Sequence, residues 1–465
     1  GDDENPYTSQ VPQQEVFPNI QVPRDQAQIF RTFDLAYYPE ERGPYNFDVP
    51  NGIPNVSDGV NVADGTVKLR NPETRWGGIM RALNTNDFQT ANIEFLEFWM
   101  LSPFLDPESA RLASPDFQDQ QGSLYINLGN ISEDILNDSR KFFENGLPSP
   151  ANPDRQIDET SWGIVPVGQQ ITRAFDNDQG TRDVQDVGLD GLDNDGENTQ
   201  FADYLNSIGS ANPIVRQALE ADPANDDFRY YNDASFDQNS SLTVRYQGFN
   251  NPQGNSQPNN QTNIRTSGTN IPDSEDINQD NTLNETESYF QYEIPLRANL
   301  ADPRELDREQ TPFITDRIED PLTNRVWYRF RVPLRGPDKK AIGGIRDFRS
   351  IRFMRMYMRG FKKPVILRFA RMELVRNQWR RVTRADLLQP ANQFGNCQPD
   401  ETSFEIDAVN IEENSQRTPF NYTLPEGIVR EQSLGVFAAL QNEQAQALRV
   451  DDLCDGGFAG IFKQI

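Results

Sequence analysis

Apolar and polar residues alternate over short runs in two blocks of the chain, which is the pattern of strands that pack one face on a core. The first block has such runs at residues 93–100 and 124–128. The second block has four, at residues 289–296, 326–332, 351–358 and 364–374. Aromatic and β-branched residues, which favour strands, are frequent in all six runs. The chain is therefore expected to be mainly β.

The second block looks like a diverged copy of the first. Asp87-Phe88 precedes residues 93–100 much as Asp347-Phe348 precedes residues 351–358, and each run is followed by another strand. The repetition predicts tandem antiparallel β-sandwiches of the jelly-roll (galactose-binding-like) type, joined by a long loop-rich acidic insertion. Chance similarity between aromatic strands is the alternative.

We expect five segments along the chain. They are an extended segment (1–25), a first β-sandwich (26–160), a loop-rich acidic calcium-binding segment (161–287), a second β-sandwich (288–385) and the start of a further β unit (386–465). The acidic segment is expected to carry little regular structure because it is rich in turn residues. Helical patterns are scarce, and residues 132–143 and 212–221 are the best candidates.

Charge and composition exclude several functions. The 465 residues carry a net charge of -27, which disfavours nucleic-acid partners and favours divalent cations. The chain contains no histidine, so serine–histidine and cysteine–histidine catalysis are excluded. Cys397 and Cys454 are too few for a thiolate zinc site. They form one disulfide or remain two inert thiols.

The sequence shows neither a membrane-spanning helix nor a signal peptide. No apolar run reaches the roughly 18 residues that a spanning helix needs. The chain begins Gly1-Asp-Asp-Glu-Asn-Pro6, without the apolar stretch of a secretion signal. The signal of an extracellular protein would have been removed, or the chain is a piece of a longer protein.

Residues 276–287 have the spacing of a calcium-binding loop. Oxygen-bearing groups stand at loop positions 1, 3, 5, 7, 9 and 12, which are Asp276, Asn278, Asp280, Thr282, Asn284 and Glu287. Thr282 would use its backbone carbonyl, and Glu287 would close the site with both carboxylate oxygens. Asn281 suits the left-handed turn at position 6. The alternative is a solvated acidic loop.

A second acidic loop spans residues 186–197. Asp186, Asp190 and Glu197 stand at positions 1, 5 and 12, but Gly188 replaces the ligand at position 3. Six acidic residues and no basic one lie between residues 183 and 197, so their repulsion favours a bound cation. Otherwise the loop is flexible and disordered without partners.

Residues 346–384 form a basic stretch in this acidic chain. They include thirteen Lys or Arg and two acids, a local charge of +11. Alternating arginines along one sheet face would pair with the acidic remainder of the chain. The stretch could instead dock an acidic partner or lipid-linked phosphate sugars.

Several long motifs resemble the SprA/Sov family. They lie at residues 5–7, 35–46, 76–80, 93–100, 127–134, 186–192, 276–285, 345–358 and 408–414. That family forms the outer-membrane translocon of the type IX secretion system, which is linked to gliding motility, and builds a very large β-barrel. The resemblance implies an internal extramembrane fragment, on the cell-surface side of the outer membrane, that frames or caps the barrel. It also implies as partners the remainder of the barrel, the shuttle and plug proteins of the outer membrane and secreted cargo proteins.

We therefore expect a noncatalytic structural part of a secretion translocon, stiffened by calcium. The alternative is a secreted, calcium-stabilised carbohydrate-binding or adhesion module, in which Trp76, Trp99 or Trp327 would stack on a sugar. A hydrolase is the third hypothesis. Glu133-Asp134 is its nearest carboxylate pair, although these residues more often start a helix behind Ser132.

Overall fold

The computed structural model describes residues 5–18, 29–43, 59–60, 67–105, 121–133, 146–160, 163–168, 179–236, 242–255 and 276–376, and the backbone of three later strands. The chain divides into two compact units. The first comprises Gly1–Ser9 and Thr32–Asn377, and the second comprises Gln10–Arg31 and Gln378–Ile465.

The described residues form seventeen strands. They are β1 (Val11–Pro12), β2 (Ile29–Phe30), β3 (Phe33–Tyr37), β4 (Trp76–Ala82), β5 (Ile93–Leu101), β6 (Gly122–Asn130), β7 (Ile157–Glu159), β8 (Ile164–Pro166), β9 (Ser288–Leu296), β10 (Ile314–Glu319), β11 (Val326–Pro333), β12 (Lys340–Ile342), β13 (Phe353–Arg359), β14 (Val365–Arg376), β15 (Ser403–Val409), β16 (Ala445–Asp451) and β17 (Phe458–Lys463). All pairings between these strands are antiparallel. The prediction of a mainly β, antiparallel protein is confirmed.

The first unit contains two five-stranded sheets, with strand orders β10-β11-β5-β14-β3 and β12-β9-β6-β13-β4. Strand β5 of the first sequence block lies between β11 and β14 of the second block. Strand β6 likewise lies between β9 and β13. The prediction of two tandem sandwiches is wrong, because both blocks build the same two sheets. Alternation predicts that a strand exists and which face it buries, but it does not identify the neighbouring strand.

Both sheets share one hydrophobic core, so they pack face to face as a sandwich. The ring of Phe98 in β5 stacks on Phe330 of β11 with a centroid distance of 4.9 Å. Phe369 of β14 meets Phe98 edge-on at 5.5 Å. From the other sheet, Met356 of β13 and Ile126 of β6 enter the same core. The jelly-roll type of the sandwich remains a prediction.

The acidic segment is more regular than its composition predicted. Its described residues include four short helices, which are numbered after α1 (Gln13–Val16): α2 (Asn194–Gln200), α3 (Ala202–Ala211), α4 (Pro213–Glu220) and α5 (Leu242–Arg245). Asn212 caps α4 by accepting hydrogen bonds from the N–H groups of Ile214 and Val215, and Pro213 occupies the first helical position. The helix predicted at residues 212–221 is confirmed. The other, at 132–143, falls almost wholly outside the described residues.

A small apolar cluster holds the helices together. Val215 and Leu219 of α4 are completely buried against Leu205 and Ile208 of α3. Val60 joins them from an earlier part of the chain. The expectation of little regular structure was wrong because a few apolar residues at helical spacing are enough for a local core, even among many acids.

The second unit contains short elements near the start of the chain and a sheet near its end. Strands β1 and β2 pair, and α1 follows β1, where an extended segment was predicted. Strands β15, β16 and β17 form an antiparallel sheet in the part of the chain where the sequence predicts a further β unit. Cys397 and Cys454 lie outside the described residues. Within the described residues, no helix has the length and apolar character to cross a membrane.

Candidate metal centre

The loop at residues 276–287 is organised around the carboxylate of Asp276, which is 3% exposed. The backbone N–H groups of Asp280 and Asn281 donate to its two oxygens at 3.1 and 2.6 Å. Asn281 has a φ of 65°, which is the left-handed conformation that the sequence predicts for this residue. The turn therefore closes on Asp276 as expected for position 1 of the loop.

Three further predicted ligands are joined by hydrogen bonds. The side-chain amide of Asn278 donates to Asp280 Oδ2 at 3.1 Å, and the hydroxyl of Thr282 donates to Asp280 Oδ1 at 2.6 Å. The Thr282 hydroxyl is the main cause that lowers the pKa of Asp280 below its ordinary value. Arg352 lies 3.5 Å from the same carboxylate. Protein groups thus already stabilise the charge of Asp280.

The last two predicted ligands of this loop face the sandwich. Glu287 Oε2 lies 3.1 Å from Nη2 of Arg355 on β13, and Glu287 Oε1 accepts a hydrogen bond from the N–H of Ser132 at 3.0 Å. The amide of Asn284 donates to the carbonyl of Ile131 at 2.6 Å. The structure thus brings together Asp276, Asn278, Asp280 and Thr282, but engages Glu287 with an arginine. Calcium in this loop remains a prediction.

Glu133 is a structural residue that sequence reasoning missed. Its side chain is completely buried, and its two oxygens accept the N–H groups of Ile277 at 2.8 Å and Asn284 at 2.9 Å. The loop is therefore fastened to the end of β6 by a carboxylate. Holding this loop is a role that the sequence analysis did not predict for Glu133, which it interpreted as part of a helix start or of a hydrolytic carboxylate pair.

A second cluster of acids is buried in the helical segment. Asp190, Glu197 and Asp226 are 5%, 0% and 1% exposed, and one carboxylate oxygen of each lies within 4.8 Å of the others. Asp190 belongs to a turn, Glu197 to the first turn of α2, and Asp226 follows α4. Among the described residues, this is the one group of three acids whose oxygens converge in this way. Two of its members, Asp190 and Glu197, were predicted as ligands.

The third residue predicted for this site, Asp186, is not part of the cluster. Its Oδ1 atom accepts a hydrogen bond from the N–H of Gly254 at 3.0 Å. Asp226 was not predicted, because it lies 29 positions after Glu197 and outside the loop that the spacing defines. The signal that could have found it is the dense acidic run of Asp222, Asp226 and Asp227.

Each acid of the buried cluster has an oxygen that accepts no hydrogen bond from the described residues. The N–H of Leu192 donates to Asp190 Oδ1 at 3.0 Å, and the N–H of Ala224 donates to Glu197 Oε2 at 2.8 Å. Within the described part of the chain, Asp190 Oδ2, Glu197 Oε1 and Asp226 Oδ1 accept no hydrogen bond. Buried polar atoms are nearly always paired, so three unpaired acceptors in one place require an explanation.

Burial raises the pKa of every acid in this cluster. The pKa of Glu197 rises to about 8 and that of Asp226 to about 9, in both cases chiefly because the charged form loses its water. The negative charges of Asp222 and Asp227 raise both further, whereas Arg42 lowers the pKa of Glu197. The pKa of Asp190 is also raised, by burial and then by Glu197 and Asp226. The site therefore disfavours three free carboxylates.

The basic stretch pairs with acids across its described part, residues 346–376. Ion pairs join Arg352 to Asp280, Arg355 to Glu287, Lys363 to Glu40, Arg368 to Asp34, and Arg371 to Glu373. These contacts favour the interpretation that the arginines neutralise the acidic remainder of the chain. Trp99 and Trp327 are 2% and 0% exposed, so neither ring is available to stack on a sugar.

Comparison with known proteins assigns the chain to a family. The model of the SprA_N family, described as a motility related/secretion protein, matches residues 201–465. No curated protein matches the chain. The matched region contains Asp226, the loop at residues 276–287 and six of the ten strands of the two five-stranded sheets. The chain belongs to the SprA_N family of motility-related and secretion proteins.

Proposed function

We propose that this chain is a noncatalytic, surface-exposed extramembrane portion of a type IX secretion translocon, where it frames or caps the barrel through which cargo proteins leave. Membership of a motility and secretion family is the observation that carries the proposal. The remainder of the translocon barrel, the shuttle and plug proteins and the secreted cargo are the partners that this function requires. Outer-membrane placement and a part in gliding motility belong to the same proposal.

The geometry supports a mechanical role. The sandwich has a continuous aromatic and aliphatic core, and such cores are close-packed and resist deformation. Arg352 directly precedes β13 and pairs with Asp280, and Arg355 lies within β13 and pairs with Glu287. These two ion pairs attach the loop at residues 276–287 to the outer side of the sheet. A wall of this kind would keep its shape beside a polypeptide that passes through the neighbouring barrel.

Cysteine labelling on intact cells tests the placement. Leu322, which is 90% exposed, is changed to cysteine in a translocon that also carries Cys397→Ser and Cys454→Ser. A membrane-impermeant maleimide is then added before or after permeabilisation. The matched control is Leu334→Cys, because Leu334 is completely buried and should react only after denaturation.

Labelling of Leu322→Cys on intact cells, together with normal secretion of cargo into the medium, is the expected result. Labelling only after permeabilisation would place the chain on the inner side of the outer membrane and contradict the proposal. Loss of the coding region should abolish cargo secretion. Unchanged secretion after that deletion would contradict the translocon role itself.

A further inference from the structure

We propose that Asp190, Glu197 and Asp226 together bind one calcium ion. The site differs from the sequence-predicted loop, because Asp186 is replaced by Asp226, which comes from a separate part of the chain. It is also independent of the secretion role proposed above.

The distances fit a single ion. Calcium binds oxygen ligands at about 2.3–2.6 Å, so two oxygens on one ion lie at most roughly 5 Å apart. The ligand oxygens of the three acids lie within 4.8 Å of one another. Magnesium needs about 2.0–2.1 Å in a nearly ideal octahedron and keeps much of its water, so a buried all-protein site suits it less well.

The carboxylates are held ready for a cation. Backbone N–H groups fix one oxygen of Asp190 and one of Glu197, and the other oxygen of each has no partner among the described residues. The N–H of Asp226 donates to Asp222 Oδ1 at 3.0 Å, which fixes the backbone at the third ligand. Because these contacts exist already, little conformational entropy is lost when an ion binds.

Gly188 explains how a distant aspartate completes the loop. Gly188 stands at position 3, where the sequence lacks the expected ligand, and its φ is +83°. A Cβ atom on this residue would lie 2.0 Å from Asp226 Oδ2. The carboxylate of Asp226 thus occupies the space that a side chain at position 3 would fill. The missing ligand is supplied from another segment.

Two more buried oxygens are candidates for the remaining coordination positions. Asn194 Oδ1 and Gln253 Oε1 accept no hydrogen bond in the described part of the chain. The side-chain amide of Asn194 donates to Asp227 at 3.2 Å, and the N–H of Gln253 donates to the carbonyl of Asp226 at 3.0 Å. Both residues are thus bonded to the segment that carries Asp226. Calcium takes about six to eight oxygens, so side-chain amides and water would complete the shell.

The ion would add to the hydrogen bonds that already join α2 to the segment after α4, where Ala224 donates to Glu197 and Asn194 donates to Asp227. It would link the turn at Asp190 and helix α2 to the segment after α4. Asn225 donates to the carbonyl of Arg42, and Arg42 donates to the carbonyl of Asp222, so that segment is in turn attached near β3. Calcium would therefore order residues 179–255 and leave the sandwich unaffected.

Calorimetric titration of the purified full chain with calcium chloride, after treatment with EGTA and its removal, tests the proposal. The wild-type chain should bind calcium at least about tenfold more tightly than magnesium. Glu197→Gln and Asp226→Asn should each lose one equivalent of calcium or at least about tenfold in affinity at that site. Asp195→Asn is the matched control, because Asp195 is an exposed acid in the same helix and should leave binding unchanged.

Limited proteolysis in EGTA and in calcium locates the effect without any variant. Calcium should suppress cleavage within residues 179–255 of the wild-type chain, and this protection should be absent from Glu197→Gln. Absence of calcium binding by the wild-type chain would overturn the proposal. So would full calcium binding by both variants when their circular dichroism shows the native fold.

Discussion

The two acidic regions of this molecule have similar composition but satisfy their charges in opposite ways. In the loop at residues 276–287, backbone N–H groups donate hydrogen bonds to the carboxylate of Asp276, and the hydroxyl of Thr282 donates to Asp280. Arginines of the sandwich form ion pairs with Asp280 and Glu287. In the helical segment, Asp190, Glu197 and Asp226 are buried, and each has an oxygen that accepts no hydrogen bond from the part of the chain that the structure describes. Acidic composition alone therefore does not decide whether a loop needs an ion. The supply of protein donors around each carboxylate decides it.

Position relative to the sandwich accounts for the contrast. The first loop runs directly into β9 and lies beside β13, where the basic stretch supplies positive charge. The helical segment has its own small core and draws on Arg42, whose guanidinium is already engaged with the carbonyl of Asp222. A divalent cation is the simplest compensation for the remaining negative charge.

The largest effect is expected from Glu133→Gln. An amide cannot accept from both Ile277 and Asn284, because its NH₂ group would face one of these N–H groups, so a buried donor loses its partner. The free energy of unfolding should fall by about 1–3 kcal/mol, equally with calcium and with EGTA. Chemical denaturation and hydrogen exchange of residues 276–287 measure this. A loss that calcium restores would break the contrast between the two regions.

Glu197→Gln should instead increase the free energy of unfolding when calcium is absent. At pH 9, above the pKa of about 8 for Glu197, the substitution removes one buried charge. Its new NH₂ group can donate to the carboxylates of Asp190 or Asp226, while its oxygen still accepts from Ala224. In EGTA the helical segment should gain about 1 kcal/mol or more. Hydrogen exchange of residues 194–220 with and without calcium measures it. Destabilisation in EGTA by as much as Glu133→Gln would mean that the two regions do not differ.

Glu287→Gln should have the smallest effect. Its ion pair with Arg355 is partly exposed to solvent, and such pairs contribute at most about 1 kcal/mol. Thermal unfolding in EGTA measures this contribution, and its decrease with added salt confirms the electrostatic cause. If the variant instead lowers calcium affinity by tenfold or more, Glu287 exchanges Arg355 for a calcium ion in the wild-type chain and completes the calcium site as the sequence predicts.

Sequence reasoning predicted local features better than long-range ones. The strands of the sandwich and the helix capped by Asn212 follow from periodicity and capping, which are encoded within a few residues. The pairing of β5 with β11 and β14 joins residues more than 200 positions apart, and strands of similar pattern can be exchanged without changing any local signal. A single sandwich was therefore mistaken for two.

The same limit applies to the candidate metal centre. Asp190 and Glu197 share one loop, and their spacing identified them. Asp226 reaches the site only through the fold, and Gly188, which looked like a defect in the loop, is the residue that makes room for it. A linear spacing rule assumes that all ligands lie in one loop, so it included Asp186 and omitted Asp226.

Long-wavelength X-ray diffraction from crystals of the full chain grown in calcium tests the central claim most directly. We predict an anomalous peak within about 2.3–2.6 Å of Asp190 Oδ2, Glu197 Oε1 and Asp226 Oδ1. The contradicting result is well-ordered density for these three side chains with no anomalous peak between them.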